Sequence, residues 1–244
     1  MRKFGLIGFP LTHSFSRKYF TQKFQEEHIS DAVYELFELP ELQKLPELIL
    51  QNPELKGLSV TIPHKQNVIP LLDELDETAA KIGAVNTIRI SGGKLKGYNT
   101  DVIGFRESLK KILPRNFTSK ALILGTGGAA QAVKAALNEL QIPFQSVSRN
   151  ADSGDLTYEE LTAEIIEKHQ LIINTTPLGT YPEIEICPAI PYGFLTPEHF
   201  LFDLVYNPEE TLFMKNGRGK GAKTKNGYEM LVLQAEAAWQ IWNS

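Results

Sequence analysis

A glycine-rich turn near the middle of the chain constrains the fold more than any other stretch. The apolar run before it, Ala121–Leu124, is typical of a strand buried on both faces, and the alanine-rich stretch after it is typical of a helix. Gly125, Gly127 and Ala130 match the G-x-G-x-x-G/A spacing, which allows a tight turn and a close approach of pyrophosphate to the backbone. The free N–H groups that begin such a helix also favour phosphate. The stretch predicts dinucleotide binding, and a plain tight turn is the alternative.

The position of this turn indicates two domains. The chain has 244 residues, of which 42% are hydrophobic, enough for one large domain or two modest ones. Its strand and helix patterns alternate, which predicts parallel sheets covered by helices. A glycine turn of this kind normally follows the first strand of its own sheet, and here it lies about halfway along the chain. The first hundred or so residues therefore form a separate α/β unit, with an expected cleft where a cofactor and a substrate meet.

Apolar periodicity and turn residues give the predicted elements. The strands are expected at residues 3–8, 33–39, 57–62, 84–90, 94–98, 121–124, 144–148, 171–174 and 200–205. The helices are expected at residues 16–28, 40–51, 71–81, 101–111, after the glycine turn to about 137, at 158–168, from 209, and at 227–242. Ser16 is the expected N-cap of the first helix, and Gly92 with Gly93 is expected to close a hairpin.

Composition and charge exclude several classes of function. The formal net charge of −4 gives no electrostatic reason to expect nucleic acid as a partner. Cys187 is the only cysteine, so an internal disulfide is impossible and a reducing compartment fits. No apolar run approaches the roughly 20 residues of a membrane span, and residues 1–10 predict a first strand and not a signal peptide. We expect a soluble, cytoplasmic α/β protein without a metal cofactor.

Polar residues follow the predicted strands of the first half. Ser14 and Ser16 offer two hydroxyls at a helix N-terminus, which could bind a carboxylate or simply cap the helix. Lys65 follows the third strand and is either functional or a solvated surface lysine. Asn86 opens a strand, where its side chain could instead hydrogen-bond to backbone. Asp101 begins a helix, where capping does not exclude a catalytic role.

The second half carries a signal for the type of cofactor. The strand after the glycine-turn helix ends in Ser148 and Arg149, where an NAD-binding domain would carry Asp or Glu for the ribose 2′-hydroxyl. A carboxylate would repel a 2′-phosphate, whereas a guanidinium binds it in bidentate fashion. NADP is therefore favoured over NAD. Residues 174–179 form a turn-rich loop that either lines the cofactor or is an ordinary connection.

Eight segments, in order along nearly the whole chain, resemble the shikimate dehydrogenase family. Any one of them is a weak signal, but eight in order are very specific. They are GFPLTHSFS at 8–16, VTIPHK at 60–65, GAVNT at 83–87, YNTDVIG at 98–104, GTGGA at 125–129, NTTP at 174–177, DLVYNP at 203–208 and NGYEMLVLQA at 226–235.

The resemblance implies an oxidoreductase that reversibly reduces 3-dehydroshikimate to shikimate with NADPH, in chorismate and aromatic amino acid biosynthesis. It implies an α/β substrate-binding and catalytic domain at residues 1–101 and a Rossmann-like NADP-binding domain at 102–226. It also implies that the C-terminal helix, 227–244, packs back on the N-terminal domain and completes it.

The resemblance also implies roles for individual residues. Lys65 would be the acid/base group, with Asp101 beside it. The residues that would bind the substrate are Ser14, Ser16, Thr61, Asn86, Tyr206 and Gln234. The residues that would bind the cofactor are Gly125, Thr126, Gly127, Gly128, Ala129, Ser148, Arg149, Thr175, Leu204 and Gly227.

The chain departs from the family pattern at a few positions. Ser59 stands where asparagine is usual, Ser148 where asparagine usually precedes the arginine, and Ser153 where a second basic residue is common. The last two departures weaken the expected clamp on the 2′-phosphate. Two alternatives therefore stay open: an NAD-using quinate/shikimate dehydrogenase, and a non-catalytic NADP-binding regulator. The expected partner is a small-molecule substrate, without nucleic acid or membrane, for a monomer or a homodimer.

Overall fold

The computed structural model describes residues 1–11 and 14–244; Thr12 and His13, in the first of the eight segments, lie outside the described residues. The chain divides into two compact units. Unit 1 comprises residues 1–100 and 235–244, and unit 2 comprises residues 101–234. The predicted α/β class is confirmed, since each unit contains a six-stranded sheet together with helices.

The strands, in chain order, are β1 Arg2–Gly8, β2 Ala32–Glu38, β3 Leu55–Val60, β4 Glu74–Leu75, β5 Thr87–Ser91, β6 Lys94–Tyr98, β7 Ala121–Leu124, β8 Phe144–Ser148, β9 Leu156–Thr157, β10 Leu171–Asn174, β11 Phe200–Asp203 and β12 Lys223–Lys225. The α-helices are α1 Phe15–Glu26, α2 Leu45–Gln51, α3 His64–Asn67, α4 Glu77–Ile82, α5 Thr100–Lys110, α6 Gly128–Glu139, α7 Ala163–Lys168, α8 Leu212–Arg218 and α9 Tyr228–Trp242. Short 3₁₀ helices cover Leu42–Lys44, Ile69–Leu71, Ala151–Ser153 and Tyr192–Phe194.

The sheet of unit 1 is mixed, with strand order β2-β1-β3-β5-β6-β4. β1 is parallel to β2 and β3, whereas β5 is antiparallel to both β3 and β6. The predicted hairpin between β5 and β6 is confirmed, and its turn contains Gly92 and Gly93 at φ of 58° and 78°. These directions place the ends of β1, β3 and β6 and the start of β5 at the same side of the sheet.

The last residues of α9 pack on unit 1, as the fold prediction expected. Trp242 stacks on Phe4 with ring centroids 5.1 Å apart, and its indole N–H donates to the carbonyl of Ile88 at 3.0 Å. Phe20 and Ala238 belong to the same buried cluster. Burial of a tryptophan with its N–H satisfied contributes strongly to a core of this size, so the chain's C-terminus is a structural part of the N-terminal fold.

Unit 2 contains a six-stranded parallel sheet in the order β12-β11-β10-β7-β8-β9. Renumbered from β7, this is the 3-2-1-4-5-6 order of dinucleotide-binding sheets read from its other edge, with β7 as the first strand. Every residue of β7, β10 and β11 is buried, which matches strands covered by helices on both faces. The predicted Rossmann-like arrangement is thereby confirmed, together with the expected bounds of β7, β8 and β10.

Several predicted helix starts are wrong, and side-chain caps explain the difference. Ser14, and not Ser16, caps α1: its backbone is extended and its hydroxyl accepts from the Arg17 amide at 3.2 Å. Helix α7 starts at Ala163 instead of near 158, behind Thr162 as its cap. Helix α8 starts behind Thr211, three residues after the predicted position near 209.

The predicted helix at 71–81 is also wrong over most of its length. A 3₁₀ turn at Ile69–Leu71 is followed by the short strand β4, which pairs with β6. The helix begins only after Asp76, whose carboxylate accepts from the Ala79 amide at 2.8 Å. The predicted helix at 40–51 is divided into the 3₁₀ turn at Leu42–Lys44 and α2. None of β4, β9 and β12 was predicted, because each is a short edge strand without an alternating apolar pattern.

Candidate active site

The predicted substrate residues of unit 1 follow strand ends on one side of its sheet. Ser14 follows β1, Thr61 follows β3, and Asn86 precedes β5, which runs antiparallel to β3. The Val60 amide donates to the carbonyl of Asn86 at 2.7 Å, so the end of β3 and the start of β5 are joined directly. Polar side chains at the carboxyl ends of strands are typical of ligand sites in α/β proteins.

Ser14 and Ser16 lie at the first turn of α1. The Ser14 hydroxyl caps the helix, as its contact with the Arg17 amide shows. Ser16 hydrogen-bonds to the hydroxyl of Tyr34, which also donates to Ser59 at 2.8 Å. Burial raises the pKa of Tyr34, and its two serine partners oppose that rise. The serine that replaces the usual asparagine thus supports Ser16 through Tyr34.

Lys65 lies on α3, a four-residue helix that the sequence did not predict. The buried neighbour His64 contacts the carbonyl of Leu39 through its Nε2, which holds this helix against the core. The Val85 amide donates to the carbonyl of Lys65 at 2.7 Å, and the His64 amide donates to Thr61 at 2.9 Å. The backbone of Lys65 is therefore fixed on both sides, while its side chain is only half-buried.

Asn86 holds the residue that precedes Asp101. Its amide donates to the Thr100 hydroxyl at 2.9 Å, and its carbonyl accepts from the Thr100 backbone N–H at 2.7 Å. Asn86 and Thr100 are both buried. The side chain of Asn86 thus hydrogen-bonds to backbone, and it fixes the chain where α5 begins with Asp101 in its first turn. Binding of substrate by Asn86 stays a prediction.

In unit 2, Gln234 lies where α5 and α9 pack closely. A Cβ at Gly104 would be 2.5 Å from the carbonyl of Met230 and 3.0 Å from the Cβ of Gln234, so only glycine fits there. Gly104 is one helical turn after Asp101, which brings Gln234 beside the start of α5. Tyr206 is 38% exposed, and burial of the rest of its side chain raises the pKa of its phenol.

The glycine turn of unit 2 fits a dinucleotide phosphate. Gly125 has a φ of 106°, where its missing Cβ would be 2.9 Å from the Thr175 hydroxyl. A Cβ at Gly127 or Gly128 would meet nothing within 4 Å, so open space borders the start of α6. Helix α6 has twelve residues and no side-chain cap, which leaves its first N–H groups and dipole available to an anion.

Arg149 and Ser148 differ sharply in exposure at the end of β8. Arg149 is exposed, as a residue that binds a 2′-phosphate must be. Ser148 is only 8% exposed, and its hydroxyl accepts from the Asn150 amide at 3.1 Å. A Cβ at Gly154 would be 2.9 Å from the Cβ of Ser148, so this position is closely packed. Ser148 therefore shapes the loop that follows Arg149.

The remaining predicted cofactor residues follow β10, β11 and β12. The Thr175 hydroxyl donates to the carbonyl of Leu124 at 2.7 Å, next to the glycine turn. A Cβ at Gly227 would be 2.1 Å from the carbonyl of Leu204, and the Gly227 amide donates to Val205 at 3.1 Å. Thr175, Leu204 and Gly227 thus lie in loops at the carboxyl end of this sheet, where dinucleotides bind.

Known proteins resemble the chain along nearly its whole length. The family model of the shikimate dehydrogenase substrate binding domain matches residues 6–88. The shikimate dehydrogenase (NADP(+)) of Desulforamulus reducens is 37% identical over 98% of this chain and 88% of its own. That of Clostridium beijerinckii is 40% identical over 99% of this chain and 92% of its own.

The chain belongs to the shikimate dehydrogenase family. Its fold agrees: the crystal structure of shikimate 5-dehydrogenase from Thermus thermophilus, in complex with NADP(H) and shikimate, superimposes with a TM-score of 0.87 at 30% identity. That match covers 99% of this chain and 93% of the other.

Two residues of this shikimate dehydrogenase family member were not assigned a role from the sequence. Asn174 and Asp203 are fully buried and end neighbouring strands, β10 and β11. Both belong to the NTTP and DLVYNP motifs, and the signal in the sequence was a polar residue directly after an apolar run.

Two kinds of feature are absent from the part of the chain that the structure describes. No helix there is both long enough and apolar enough to cross a membrane. Within those same residues, His, Cys, Asp and Glu side chains form no group of three that could hold a metal ion.

Proposed function

We propose that this protein is an NADP-dependent shikimate dehydrogenase, which reversibly reduces 3-dehydroshikimate to shikimate in chorismate and aromatic amino acid biosynthesis. The observation that carries the proposal is the 37% identity, over 98% of the chain, to a relative named shikimate dehydrogenase (NADP(+)). The Rossmann-type sheet of unit 2, with an open glycine turn and an exposed Arg149, supports the choice of cofactor.

The substrate site draws mainly on residues 1–101. Shikimate has one carboxylate and three ring hydroxyls, so it needs donors at one end and mixed donors and acceptors around the ring. The hydroxyls of Ser14 and Ser16, with that of Tyr206, bind the carboxylate and its surroundings. Thr61, Asn86, Asp101 and Gln234 bind the ring hydroxyls. The C-terminal helix, 227–244, completes this domain.

The cofactor site draws on residues 102–226 together with Gly227. The N–H groups of Thr126, Gly127, Gly128 and Ala129 bind the pyrophosphate at the start of α6. Gly125, whose own N–H donates to the carbonyl of Val147 at 2.8 Å, provides the turn. Arg149 pairs with the 2′-phosphate, and Ser148 shapes the adjacent loop. Thr175, the backbone of Leu204, and Gly227 line the nicotinamide end.

Lys65 acts as the acid/base group. When bound, NADPH supplies the hydride that reduces the C3 carbonyl carbon. The Lys65 amino group donates a proton to the carbonyl oxygen as negative charge develops there, and it accepts that proton when shikimate is oxidised. Asp101 accepts a hydrogen bond from the ring hydroxyl beside this oxygen and keeps the substrate oriented toward Lys65. Fixing both reactants in one geometry supplies much of the acceleration.

A matrix of two substrates and two cofactors tests the proposal. Purified protein is mixed with shikimate or quinate, each with NADP or NAD, and the appearance of reduced nicotinamide is followed by absorbance. We expect the highest kcat/KM with shikimate and NADP. A higher kcat/KM with quinate and NAD would favour the NAD-using quinate/shikimate dehydrogenase. Shikimate binding without turnover with either cofactor would favour the non-catalytic regulator.

Composition supports a cellular compartment and a kind of partner for the enzyme. A single cysteine and a formal net charge of −4 support a cytoplasmic enzyme whose partner is a small molecule and not nucleic acid. We propose that it acts as a monomer or a homodimer. Light scattering coupled to size-exclusion chromatography distinguishes these from larger assemblies.

A further inference from the structure

Unit 2 contains a buried carboxylate that the proposed reaction does not use directly. Asp203 ends β11 and is fully buried, and the register of the two strands places it opposite Asn174, the last residue of β10. A buried ionised carboxylate costs free energy unless hydrogen bonds satisfy it. A residue of this kind at the ligand-binding end of a Rossmann-type sheet therefore needs a structural or functional reason.

Three donors satisfy Asp203. Its Oδ1 accepts from the Asn174 amide at 2.9 Å and from the Val205 backbone N–H at 3.0 Å. Its Oδ2 accepts from the hydroxyl of Thr211, the N-cap of α8, at 2.5 Å. Burial raises the pKa of Asp203 to about 6, against the opposing effect of these hydrogen bonds. All three of these partners act as donors, an arrangement that suits the ionised carboxylate.

Asn174 transmits this restraint to the loop after β10. Its side-chain carbonyl accepts from the Thr176 backbone N–H at 3.0 Å and from the Thr176 hydroxyl at 2.6 Å. Its backbone carbonyl accepts from the Leu204 amide at 3.0 Å. One carboxylate thus fixes the loop after β10 through Asn174 and the loop after β11 through Val205.

These two loops contain proposed cofactor contacts. Thr175 lies between Asn174 and Thr176, and its hydroxyl reaches the end of β7 beside the glycine turn. The Gly227 amide donates to the carbonyl of Val205, the residue whose own amide donates to Asp203. Each of the three residues is thus connected to the Asp203 carboxylate. Thr175 follows its partner Asn174, Leu204 follows Asp203 itself, and Gly227 hydrogen-bonds to its partner Val205.

We propose that Asp203 is a positioning residue for NADP(H), whose carboxylate holds the loops of Thr175 and Leu204 in their binding conformation before the cofactor arrives. The inference rests on the proposed function, because it takes these loops as the nicotinamide end of the cofactor site. Without the carboxylate, the loops must be ordered at the moment of binding, and that cost appears as lost affinity.

The test measures the affinity for NADPH directly, by fluorescence titration, together with the KM for shikimate and stability in urea. Asp203→Asn keeps the shape of the side chain but presents an amide where Thr211 donates. We expect its dissociation constant for NADPH to rise about tenfold, with the KM for shikimate within about twofold of the wild-type value.

A matched control perturbs the opposite end of the same strand. His199 immediately precedes β11, is 2% exposed and hydrogen-bonds to the carbonyl of Ile166 through its Nε2 at 3.1 Å. His199→Asn is expected to destabilise unit 2 without changing the affinity for NADPH. Thr211→Ser, which keeps the hydroxyl, should bind as the wild type does, whereas Thr211→Val should bind more weakly. If Asp203→Asn does not fold, the difference in NADPH affinity between Thr211→Ser and Thr211→Val tests the role of Asp203 instead.

The outcomes separate the two proposals. Wild-type protein that neither binds NADPH nor oxidises shikimate contradicts the proposed function. Active wild-type protein with unchanged affinity in Asp203→Asn overturns the role of Asp203. Equal losses of affinity in Asp203→Asn and His199→Asn at equal stability also overturn it, because they would reflect general destabilisation.

Discussion

Substitution of Gly57 by alanine should disrupt the packing of Trp242 within unit 1. Gly57 lies in β3, and a Cβ there would be 2.2 Å from Cδ1 of the Trp242 ring and 2.3 Å from its Nε1. Ordinary carbon contacts are about 3.5–4.0 Å, so the indole must move by more than an ångström. Phe4 and Phe20 restrict this movement, because their ring centroids lie 5.1 and 5.3 Å from that of Trp242.

The expected cost follows from these contacts. Displacement of the ring breaks the hydrogen bond from the Trp242 indole to Ile88, worth about 1 kcal/mol. Repacking around an added methyl group in a filled core costs about 1–3 kcal/mol. We therefore expect Gly57→Ala to lower the free energy of unfolding by about 3 kcal/mol. Complete removal of the ring in Trp242→Ala should cost about 3–5 kcal/mol.

A double-mutant cycle isolates the contact. Urea denaturation, followed by far-ultraviolet circular dichroism, gives the stability of both single variants and of the double variant. With Trp242 truncated, Gly57→Ala should cost less than about 0.5 kcal/mol, because the added methyl then meets no ring. Gly193→Ala is the control: a Cβ there meets nothing within 4 Å, so the stability should stay within about 0.5 kcal/mol. An equal cost of Gly57→Ala with and without the Trp242 ring would show that contact with the ring does not cause the destabilisation.

Three further variants test the site and its electrostatics. Lys65→Ala should lower kcat by several orders of magnitude, about the scale of a lost general acid, while NADPH binding measured by fluorescence stays near normal; unchanged turnover would remove Lys65 from the mechanism. Arg149→Ala should raise the KM for NADPH about tenfold or more and leave that for NADH unchanged; equal effects on both cofactors would show that Arg149 does not read the 2′-phosphate. Burial opposes ionisation of Glu229, but hydrogen bonds from Lys111 and Lys225 outweigh it and lower its pKa from 4.5 to about 2. Its stabilisation is therefore complete above pH 4.5 and lost as pH falls toward 2. Glu229→Gln should cost about 1 kcal/mol at pH 7 in urea denaturation, after allowance for solvent screening, with a difference from wild type that shrinks below pH 4.5; a difference independent of pH would contradict this assignment.

Local signals predicted the dinucleotide-binding half well. The strand Ala121–Leu124, the glycine turn and α6 are specified by about twenty consecutive residues, so no distant contact had to be known. The exposed Arg149 was likewise predictable, because its place after β8 follows from counting strands. The turn, the parallel Rossmann-like sheet and the C-terminal helix's packing on unit 1 are all as expected from the sequence and the family resemblance.

Features that depend on distant pairing were not predictable in the same way. The strand β4 exists because it pairs with β6, about twenty residues later, and its own sequence is too short to predict it. The choice of Ser14 over Ser16 as a cap depends on the backbone angles of one residue. The network of Asp203 depends on the register that places Asn174 opposite it, and no spacing along the chain reveals that register.

Transfer of deuterium from labelled shikimate would demonstrate the hydride transfer proposed for this protein. The protein is incubated with NADP and shikimate that carries deuterium at C3, and the reduced cofactor is analysed by mass spectrometry. An NADP-dependent shikimate dehydrogenase transfers that hydrogen as hydride, so we expect NADPH that contains the deuterium. Formation of unlabelled NADPH, or no NADPH at all from active, folded protein, would contradict it.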